Sequence, residues 1–558
     1  MLLHKTNTDL LIIIPPSREK HTVYPPYGAM YVSSALRQKG YVPIILNVDV
    51  ERIRNHEVIE RIRHINPKYI GFSGIVATSY RYIKELSNEI KRSFPDKKQI
   101  LGGGLSSAVE PILKNTAIDI VVLGEGEITI VELINCLENG GDLNSVVGIA
   151  FKTGASHEYT SRRETIKDLD SLPYPAFDLV DMGKYLPEGV GFIHGFTTKV
   201  DKRIYDAKRK NRMITIPTNR GCIGICSFCF RANRGIRSHS MKYVFDFIEY
   251  CIEKFDVGFF TFGDECFAPN RKRNWDFIEE YKKRNLDIIF RILGMRVDTV
   301  DEDILNAYSE IGCWMIEYGF EAGNQKMLNI IDKRVTVEQN RQVAMWTKAA
   351  GIYTSPTLVL GMPGETNETI RESIEFLKSL NFDFKQYQMT YALPIPGSPL
   401  YEFSKITGAV KEEDEYLSSL DGEDRGVAGN FLVNLTDESD EVVARWSKTI
   451  KDEMDKHYLL RKYKIKLLVK MILPLQKVYL NYKKNMLWVV LKSKAKKLLG
   501  SGRKHIRKDN TGSVYVRFKK PSDINIEKLI KDFDYSRLSR DMSLKKINEK
   551  LLLLKSNS

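Results

Sequence analysis

The sequence predicts an α/β protein with two parallel-sheet units, followed by a mostly helical and basic C-terminal extension. Short apolar strands alternate with amphipathic helices in two stretches, one before residue 150 and one between residues 206 and 400. Small or charged loops follow the strands, where open α/β sheets bind ligands. At 558 residues, the chain is also too long for one ordinary domain.

The first 150 residues predict a doubly wound sheet of flavodoxin-like size. Five strands are expected at residues 9–15, 41–47, 69–73, 99–101 and 118–123. Four helices are expected at residues 29–39, 55–65, 80–93 and 110–115. Residues 151–205 combine prolines with charge runs and predict a linker.

Three of these strands run into loops of small residues. Glycine allows a close approach of the backbone to a ligand, so the loops predict a binding site at the sheet edge. The alternative is that each glycine only closes a strand-to-helix turn. The candidate binding residues are Ser73, Gly102, Gly103, Gly104, Gly124, Glu125 and Gly126.

Residues 206–400 predict a partial (β/α)6 barrel of the TIM type, whose chemistry sits at the carboxyl ends of the strands. Six strands are expected at residues 213–218, 258–262, 288–292, 314–318, 357–360 and 385–391. Helices are expected between them at residues 243–254, 275–284, 302–311, 337–350 and 368–380. Residues 401–558 form the predicted extension.

Three of the seven cysteines follow the first barrel strand directly. Cys222, Cys226 and Cys229 have the spacing C-x3-C-x2-C, which lets one loop wrap one iron–sulfur cluster and leaves a fourth iron open. A structural zinc site would need a fourth ligand close by, and the next candidate is His239. Zinc or plain thiols are therefore the alternatives. Core positions are expected for Cys251, Cys266 and Cys313.

This spacing, with the aromatic Phe228 before the last cysteine, resembles the hallmark of the radical S-adenosylmethionine superfamily. The resemblance implies a 4Fe–4S cluster whose open iron chelates S-adenosylmethionine, which is cleaved by one electron to a 5′-deoxyadenosyl radical. Gly263-Asp264-Glu265 resembles the segment that holds the methionyl ammonium, through either carboxylate. The resemblance also implies that Arg296 contacts the carboxylate of S-adenosylmethionine and that Glu321 contacts its ribose. The segment of Gly361 is implied to lie beside its adenine.

A subgroup of that superfamily carries a cobalamin-binding domain before the barrel, and the chain resembles it over roughly residues 9 to 400. The matching segments are residues 26–29, 102–104, 121–127 and 394–399. The resemblance implies that cobalamin binds the first unit and presents its corrin face to the barrel. The motif D-x-H-x-x-G is absent, since Asp49 is followed by Val50 and Glu51. Cobalt ligation by histidine is therefore not expected, and a degenerate domain that binds nothing is the alternative.

The net charge of +14 belongs to the tail, because residues 441–558 hold 31 Lys and Arg against 11 Asp and Glu. Residues 461–508 hold 16 Lys and Arg, no Asp or Glu, and interleaved apolar and aromatic residues. This pattern predicts helices on an anionic membrane surface, with a helical cap on the barrel as the alternative. Nucleic-acid binding is disfavoured, because no known module is present. Few cysteines, no signal peptide and no long apolar run predict a cytoplasmic protein, peripheral at most.

The expected function is that of a cobalamin-dependent radical S-adenosylmethionine methyltransferase acting on an unactivated carbon. Its partners are expected to be a small-molecule or lipid-like substrate and an external electron donor of the flavodoxin or ferredoxin type. A cyclase or rearrangement enzyme with the same cofactors is one alternative. A non-catalytic cobalamin or redox sensor is another, but a sensor needs no ammonium-binding carboxylate beside the cluster.

Overall fold

The computed structural model describes residues 8–18, 22–75, 77–197, 202–206, 210–231, 235–382, 386–420 and 431–462. The strongly basic, aromatic stretch lies almost entirely beyond residue 462, and so outside the described residues. Within the described part, two large sheets and one small hairpin carry the fold. No helix in these ranges is both long enough and apolar enough to cross a membrane.

The first sheet has seven strands in the order β2-β1-β3-β4-β5-β6-β7. Strands β1 to β5 are parallel in the flavodoxin-like order, which confirms the predicted fold. Strands β6 and β7 add an antiparallel hairpin that was not predicted, since residues from 151 onward were expected to form a linker. The strands are β1 Leu10–Ile14, β2 Pro43–Asn47, β3 Tyr69–Ser73, β4 Lys98–Gly102, β5 Ile120–Val122, β6 Ile149–Thr153 and β7 Ser156–Tyr159.

Helices cover the faces of this sheet because their apolar residues recur every three or four positions. In α4, for example, Ile83, Leu86 and Ile90 are all fully buried. The helix that follows β5 was not predicted. The helices are α1 Tyr27–Gln38, α2 Val48–Glu51, α3 Asn55–Ile65, α4 Tyr80–Ser93, α5 Val109–Asn115 and α6 Gly126–Glu138. The next helix, α7 Gly189–His194, packs instead against the second sheet, where Ile193 clusters with Met213 and Phe259.

The second sheet is a curled half-barrel of six parallel strands in the order β8-β11-β12-β13-β14-β15, as predicted. A two-stranded antiparallel hairpin, β9 and β10, follows its first strand. The strands are β8 Arg212–Ile216, β9 Asn219–Cys222, β10 Gly235–Ser238, β11 Val257–Phe262, β12 Ile289–Met295, β13 Cys313–Glu321, β14 Thr357–Leu360 and β15 Gln388–Tyr391.

Nine helices of the described chain follow residue 240 and pack outside the half-barrel or beyond it. Polar residues begin many of them; Asn270 and Asp301, for instance, accept hydrogen bonds from the first turns of α9 and α10. The helices are α8 Met241–Phe255, α9 Arg271–Arg284, α10 Glu302–Glu310, α11 Gln325–Ile331, α12 Val337–Ala349, α13 Asn367–Ser379, α14 Pro399–Ile406, α15 Glu413–Ser419 and α16 Asp440–Lys462.

The two faces of the half-barrel differ in chemistry. Phe262 points outward and packs edge-on against Phe277 of α9, with ring centroids 5.2 Å apart. The alternate residues Thr215, Thr261 and Arg291 stand side by side in register on the concave face. Two residues earlier on the same face stand Met213, Phe259 and Ile289, so the polar groups of the concave face lie toward the carboxyl ends of the strands.

Away from the cysteine loop, contacts among the described residues join the first unit to the half-barrel and to the helices that follow it. The hydroxyl of Tyr27 donates to the carbonyl of Thr215 at 2.7 Å. Ser107 Oγ donates to the carbonyl of Pro396 at 2.8 Å. Lys84 Nζ of α4 lies 2.6 Å from a carboxylate oxygen of Asp414 in α15. These contacts bring the carboxyl edge of the first sheet against the mouth of the half-barrel.

Candidate active site

The cysteine loop follows β9, and two backbone hydrogen bonds and one from a side chain fix its main chain. The N–H of Ser227 donates to the carbonyl of Ile331, at the end of α11, at 2.8 Å. The N–H of Leu400, in the first turn of α14, donates to the Ser227 carbonyl at 2.9 Å. Arg231 Nη1 closes the loop by donating to the Gly224 carbonyl at 2.6 Å. The thiols are therefore presented by a loop of fixed shape.

The three thiols of the loop have different surroundings. A hydrogen bond from the Cys266 thiol, together with one from the Gly224 N–H at 3.2 Å, lowers the pKa of Cys222 to about 6. Burial raises the pKa of Cys226 and Cys229. Among the described residues, no three His, Cys, Asp or Glu side chains are arranged to hold a single metal ion. All seven cysteines are free thiols.

Two buried cations lie beside this loop. The Arg296 guanidinium follows β12, pairs with Asp298 at 2.8 and 2.9 Å, and would lie 3.2 Å from a Cβ placed on Gly224. Lys333 Nζ lies 2.8 Å from Oε1 of Glu321, the last residue of β13. Positive charge next to thiolates offsets the negative charge that a thiolate-bound cluster carries.

The adjacent carboxylates of Asp264 and Glu265 have different partners. Asp264 is buried, and its oxygens accept hydrogen bonds from the Thr218 N–H, the Thr218 hydroxyl and the Asn219 N–H at 2.7, 2.8 and 3.0 Å. Glu265 is exposed to the cavity described below and has no hydrogen-bond partner among the residues that the structure describes. Burial of its carboxyl group and the nearby Cys222 raise the pKa of Glu265.

Gly361 ends β14 with a positive φ of 78°. Its N–H donates to the carboxyl group of Glu365, which is only 2 % exposed. Burial raises the pKa of Glu365 to about 8, so this group holds its proton at neutral pH. Glu365 was not among the predicted site residues.

The two phenylalanines of the cysteine loop pack in different ways. Phe228 is partly buried against the apolar core. Phe230, one residue after Cys229, is wedged between two glycines: a Cβ on Gly397 would lie 2.8 Å from its ring, and one on Gly104 would lie 3.5 Å from it. Gly104 therefore leaves room for the cysteine loop, which the sequence analysis did not foresee.

One cavity of about 390 Å³ joins the edge of the first sheet to the cysteine loop. The predicted loop residues Ser73, Gly102, Gly103, Gly124, Glu125 and Gly126 line one side, and Gly263, Asp264 and Glu265 line the other. A Cβ on Gly28 or Gly102, which also line it, would meet no atom within 4 Å and would project into open space. Glycine thus keeps this cradle wide.

The donor set and the cradle fit a cluster and a bulky planar cofactor. Three thiols on one loop with cations behind them suit iron–sulfur ligation. An uncommitted carboxylate beside them suits an ammonium group. The glycine-lined crevice at the carboxyl ends of β3, β4 and β5 offers apolar walls from Leu10, Ile12 and Ile100 to a cofactor that enters the first sheet.

Sequence comparison assigns a family to each unit. Residues 19–134 match the B12 binding domain family, and residues 216–377 match the Radical SAM superfamily. The half-barrel and its thiol-bearing loop thus define a radical S-adenosylmethionine enzyme. With a B12 binding domain ahead of the barrel, the chain is a cobalamin-binding member of that class, and its cofactors are a 4Fe–4S cluster, S-adenosylmethionine and cobalamin.

Two named proteins match most of the chain in sequence. The uncharacterized methyltransferase PH0819 of Pyrococcus horikoshii is 28% identical over 406 residues, which cover 71% of this chain and 83% of that protein. The anaerobic magnesium-protoporphyrin IX monomethyl ester cyclase of Rubrivivax gelatinosus is 29% identical over 390 residues. That match covers 68% of this chain and 66% of the cyclase.

Solved structures share the fold. The radical S-adenosylmethionine methyltransferase TsrM of Kitasatospora setae, with cobalamin and a 4Fe–4S cluster bound, has a TM-score of 0.56 at 16% identity. The match covers 72% of this chain and 76% of TsrM. The cobalamin-dependent radical enzyme OxsB, with aqua-cobalamin bound, has a TM-score of 0.53 at 17% identity over 77% of this chain and 58% of OxsB. At these identities the likeness concerns the fold.

The structure brings nearly all the predicted site residues to one place but also adds partners. Asp264 and Glu265 face the small loops across the cavity. The three cysteines, Arg296 and Glu321 do not line this cavity but lie close to one another beside it. Arg220 and Lys333 were missed by the sequence analysis. The only signal for Arg220 is its position two residues before Cys222, and Lys333 lies in a loop that the periodicity does not mark.

Proposed function

We propose that the protein is a cobalamin-dependent radical S-adenosylmethionine methyltransferase that acts on an unactivated carbon of a small molecule. The observation that carries this proposal is the shared cavity, which is bordered by both predicted cofactor sites. When bound, the cluster and S-adenosylmethionine supply one-electron C–S bond cleavage, and cobalamin carries methyl groups. The protein's part is to hold both cofactors and one substrate around this shared cavity.

Roles for the residues follow from their surroundings. Cys222, Cys226 and Cys229 ligate the cluster, and Phe228 supports their loop. Glu265 receives the methionyl ammonium, because its carboxylate is uncommitted, whereas Asp264 braces the backbone before the loop. The other residues proposed to contact S-adenosylmethionine are Gly263, Arg296, Glu321 and Gly361. Those proposed to border cobalamin are Ser73, Gly102, Gly103, Gly124, Glu125 and Gly126, whereas Gly104, which was also predicted, packs against Phe230 instead.

Polar groups for the substrate come from the concave face of the half-barrel. Arg291 Nε donates to Thr261 Oγ1 at 2.9 Å, and its guanidinium lies over the ring of Phe192 with 4.4 Å to the centroid. Glu317 lies on the next strand, where burial raises the pKa of its carboxyl group. A substrate with polar or charged groups would meet these side chains at the floor of the half-barrel.

A lipid-like substrate, a peripheral membrane contact and a cytoplasmic location belong to the proposal as well. The first two depend on residues 463–508, which lie outside the described part, and the sparse cysteines support a reducing compartment. An external flavodoxin or ferredoxin would supply the electron. We also propose the division into parts 1–150, 151–205, 206–400 and 401–558, although β6 and β7 carry the first sheet beyond residue 150.

A cyclase that uses the same cofactors is the second candidate, because the matched cyclase of Rubrivivax gelatinosus is as similar as the methyltransferase relative. Anaerobic protein reconstituted with iron, sulfide and hydroxocobalamin should be incubated with dithionite and S-adenosylmethionine. A methyltransferase releases S-adenosylhomocysteine as well as 5′-deoxyadenosine, and the C226A variant releases no 5′-deoxyadenosine. Release of 5′-deoxyadenosine alone would favour the cyclase, and release of neither would contradict both candidates.

A further inference from the structure

Four charged side chains bridge the first sheet unit and the cysteine hairpin. Arg220 lies on β9, two residues before Cys222. Its Nη1 lies 2.9 Å from Glu125 Oε1, and its Nη2 lies 2.5 Å from Glu127 Oε1. Both glutamates stand where β5 runs into α6, about 95 residues earlier in the chain. The beginning of the cysteine loop is thereby tied to the glycine-rich loop that borders the cavity.

The partner strand of the hairpin makes a second tie to the same glutamate. Arg237 of β10 pairs in register with Arg220 of β9. Its Nη2 and Nη1 lie 2.9 and 3.0 Å from the two oxygens of Glu125. The N–H of Ile166 also donates to Glu125 at 2.8 Å. Although burial opposes it, hydrogen bonding from Arg237 and Ile166 lowers the pKa of Glu125, which keeps it ionised.

These ion pairs are more than surface contacts. The side chains of Arg220, Glu125, Glu127 and Arg237 are 23%, 9%, 6% and 16% exposed. Charge-assisted hydrogen bonds strengthen when water is excluded, and removing one partner leaves a buried charge unpaired. These four charged side chains therefore favour one arrangement, in which the hairpin and the loop after β5 are held at a fixed distance.

All four side chains also line the 390 Å³ cavity. The Arg220 guanidinium lies over the ring of Tyr31, 5.3 Å from its centroid, and Tyr31 lines the same cavity. Anything that fills the cavity thus contacts or neighbours the side chains that hold the hairpin. At the far end of the cysteine loop, Phe230 is packed against Gly104 of the first unit. The loop is held by the first unit at both of its ends.

We propose that Arg220 is a positioning residue that couples occupancy of the cavity by cobalamin to the arrangement of the cysteine loop. This inference rests on the proposed function, because it takes cobalamin as the occupant. The first unit makes a further ion pair through Lys84, whose partner Asp414 lies in α15 of the C-terminal part and not in the hairpin. That contact holds α15 to the first unit, whereas the Arg220 contacts set where Cys222 lies relative to the loop that borders the cavity.

Coupling between two ligands is reciprocal and can be measured as a ratio of affinities. Equilibrium dialysis of full-length protein against hydroxocobalamin, with the iron–sulfur cluster reconstituted or left out, gives two dissociation constants. For the wild-type chain we expect cobalamin to bind the cluster-loaded protein about 5-fold or more tightly, the lower range of such couplings. In R220M we expect the ratio to approach one, with iron content retained.

The control and the supporting variants separate coupling from general damage. K84M removes an ion pair between the first unit and α15, away from the hairpin, and should keep the wild-type ratio. Glu127→Gln keeps a hydrogen-bond acceptor but loses the charge, and it should also lower the affinity ratio. It replaces R220M as the test variant if R220M does not fold. R220K, which keeps one charge without the two-pronged geometry, should restore part of the ratio.

Each remaining outcome decides the matter. A wild-type ratio of one, or a ratio unchanged in R220M and Glu127→Gln, would overturn the coupling while leaving cobalamin binding intact. An equal loss of the affinity ratio in K84M would also overturn the role of Arg220, since the coupling would then depend on ion pairs of the first unit in general. If the wild-type chain bound no hydroxocobalamin at all, the proposed function and this inference would fail together.

Discussion

Asp264 and Thr218 are joined by two hydrogen bonds, from the Thr218 N–H at 2.7 Å and from its hydroxyl at 2.8 Å. They tie the loop after β11 to the segment just before the cysteine hairpin. The neighbouring Glu265 makes no such bond within the described chain. Two adjacent carboxylates are therefore distinguishable by substitution, since one braces the fold and the other faces the cavity.

The first prediction compares Asp264→Asn with Glu265→Gln. Asp264→Asn weakens a buried network and should lower the unfolding free energy by about 1–3 kcal/mol. Glu265→Gln should leave the thermal midpoint unchanged but weaken binding of S-adenosylmethionine by about tenfold, the effect of losing about 1.4 kcal/mol of charge-assisted bonding. Differential scanning calorimetry and anaerobic equilibrium dialysis check the two arms. The reverse pattern would assign the ammonium to Asp264.

The second prediction concerns Cys266, whose thiol is hydrogen-bonded to Cys222. Only three thiolates are expected to hold iron, so Cys266→Ser should keep the full iron and sulfide content after reconstitution. Cys226→Ala should lose the cluster. Iron and acid-labile sulfide analysis checks both variants on anaerobically reconstituted protein. Loss of iron in Cys266→Ser comparable to that in Cys226→Ala would make Cys266 a ligand rather than a neighbour.

Much of the fold follows from local pattern, because buried strands are short apolar runs and the cysteine spacing marks its own loop. Helix α6 was missed although Ile130, Leu133 and Ile134 repeat with helical period, since the glycines before it indicated only a loop. The hairpin of β6 and β7 was missed because its outer strand is mostly exposed and lacks an apolar face.

The arrangement of the site was less predictable than its parts. Which of Asp264 and Glu265 is free depends on backbone N–H groups some 45 residues away, and no local pattern reports that. Arg220 and Glu127 are 93 residues apart in sequence. Such pairs arise from packing of the two units against each other, which single-sequence periodicity cannot resolve.

The third prediction uses the open space at Gly102. Because a Cβ there would meet no atom within 4 Å, substitution should leave the fold intact and fill the cavity instead. Gly102→Ala, Gly102→Leu and Gly102→Phe should weaken hydroxocobalamin binding in that order, with thermal midpoints close to wild type. Binding of S-adenosylmethionine serves as the control and should change least. Equal cobalamin affinity across the series would place cobalamin elsewhere.

The fourth prediction is a pH dependence of stability that depends on Glu365. Burial raises the pKa of Glu365 to about 8, from a usual value of 4.5. Between these values the folded chain binds the proton and the unfolded chain does not, so stability falls as pH rises. The Glu365→Gln variant has no titratable group at this position. The wild type should therefore lose a few kcal/mol relative to Glu365→Gln across this range, at about 1.4 kcal/mol for each unit of pKa difference.

Thermal midpoints of the two proteins at several pH values between 5 and 8 test this sign, with Glu372→Gln on the exposed face of α13 as the matched control. The wild type and Glu372→Gln should lose stability in parallel as pH rises, while Glu365→Gln changes less. The Glu365 carboxyl group accepts the Gly361 N–H, so the group that titrates lies at the turn proposed to lie beside the adenine. Three parallel curves would mean that water reaches this carboxyl group and that its pKa is ordinary.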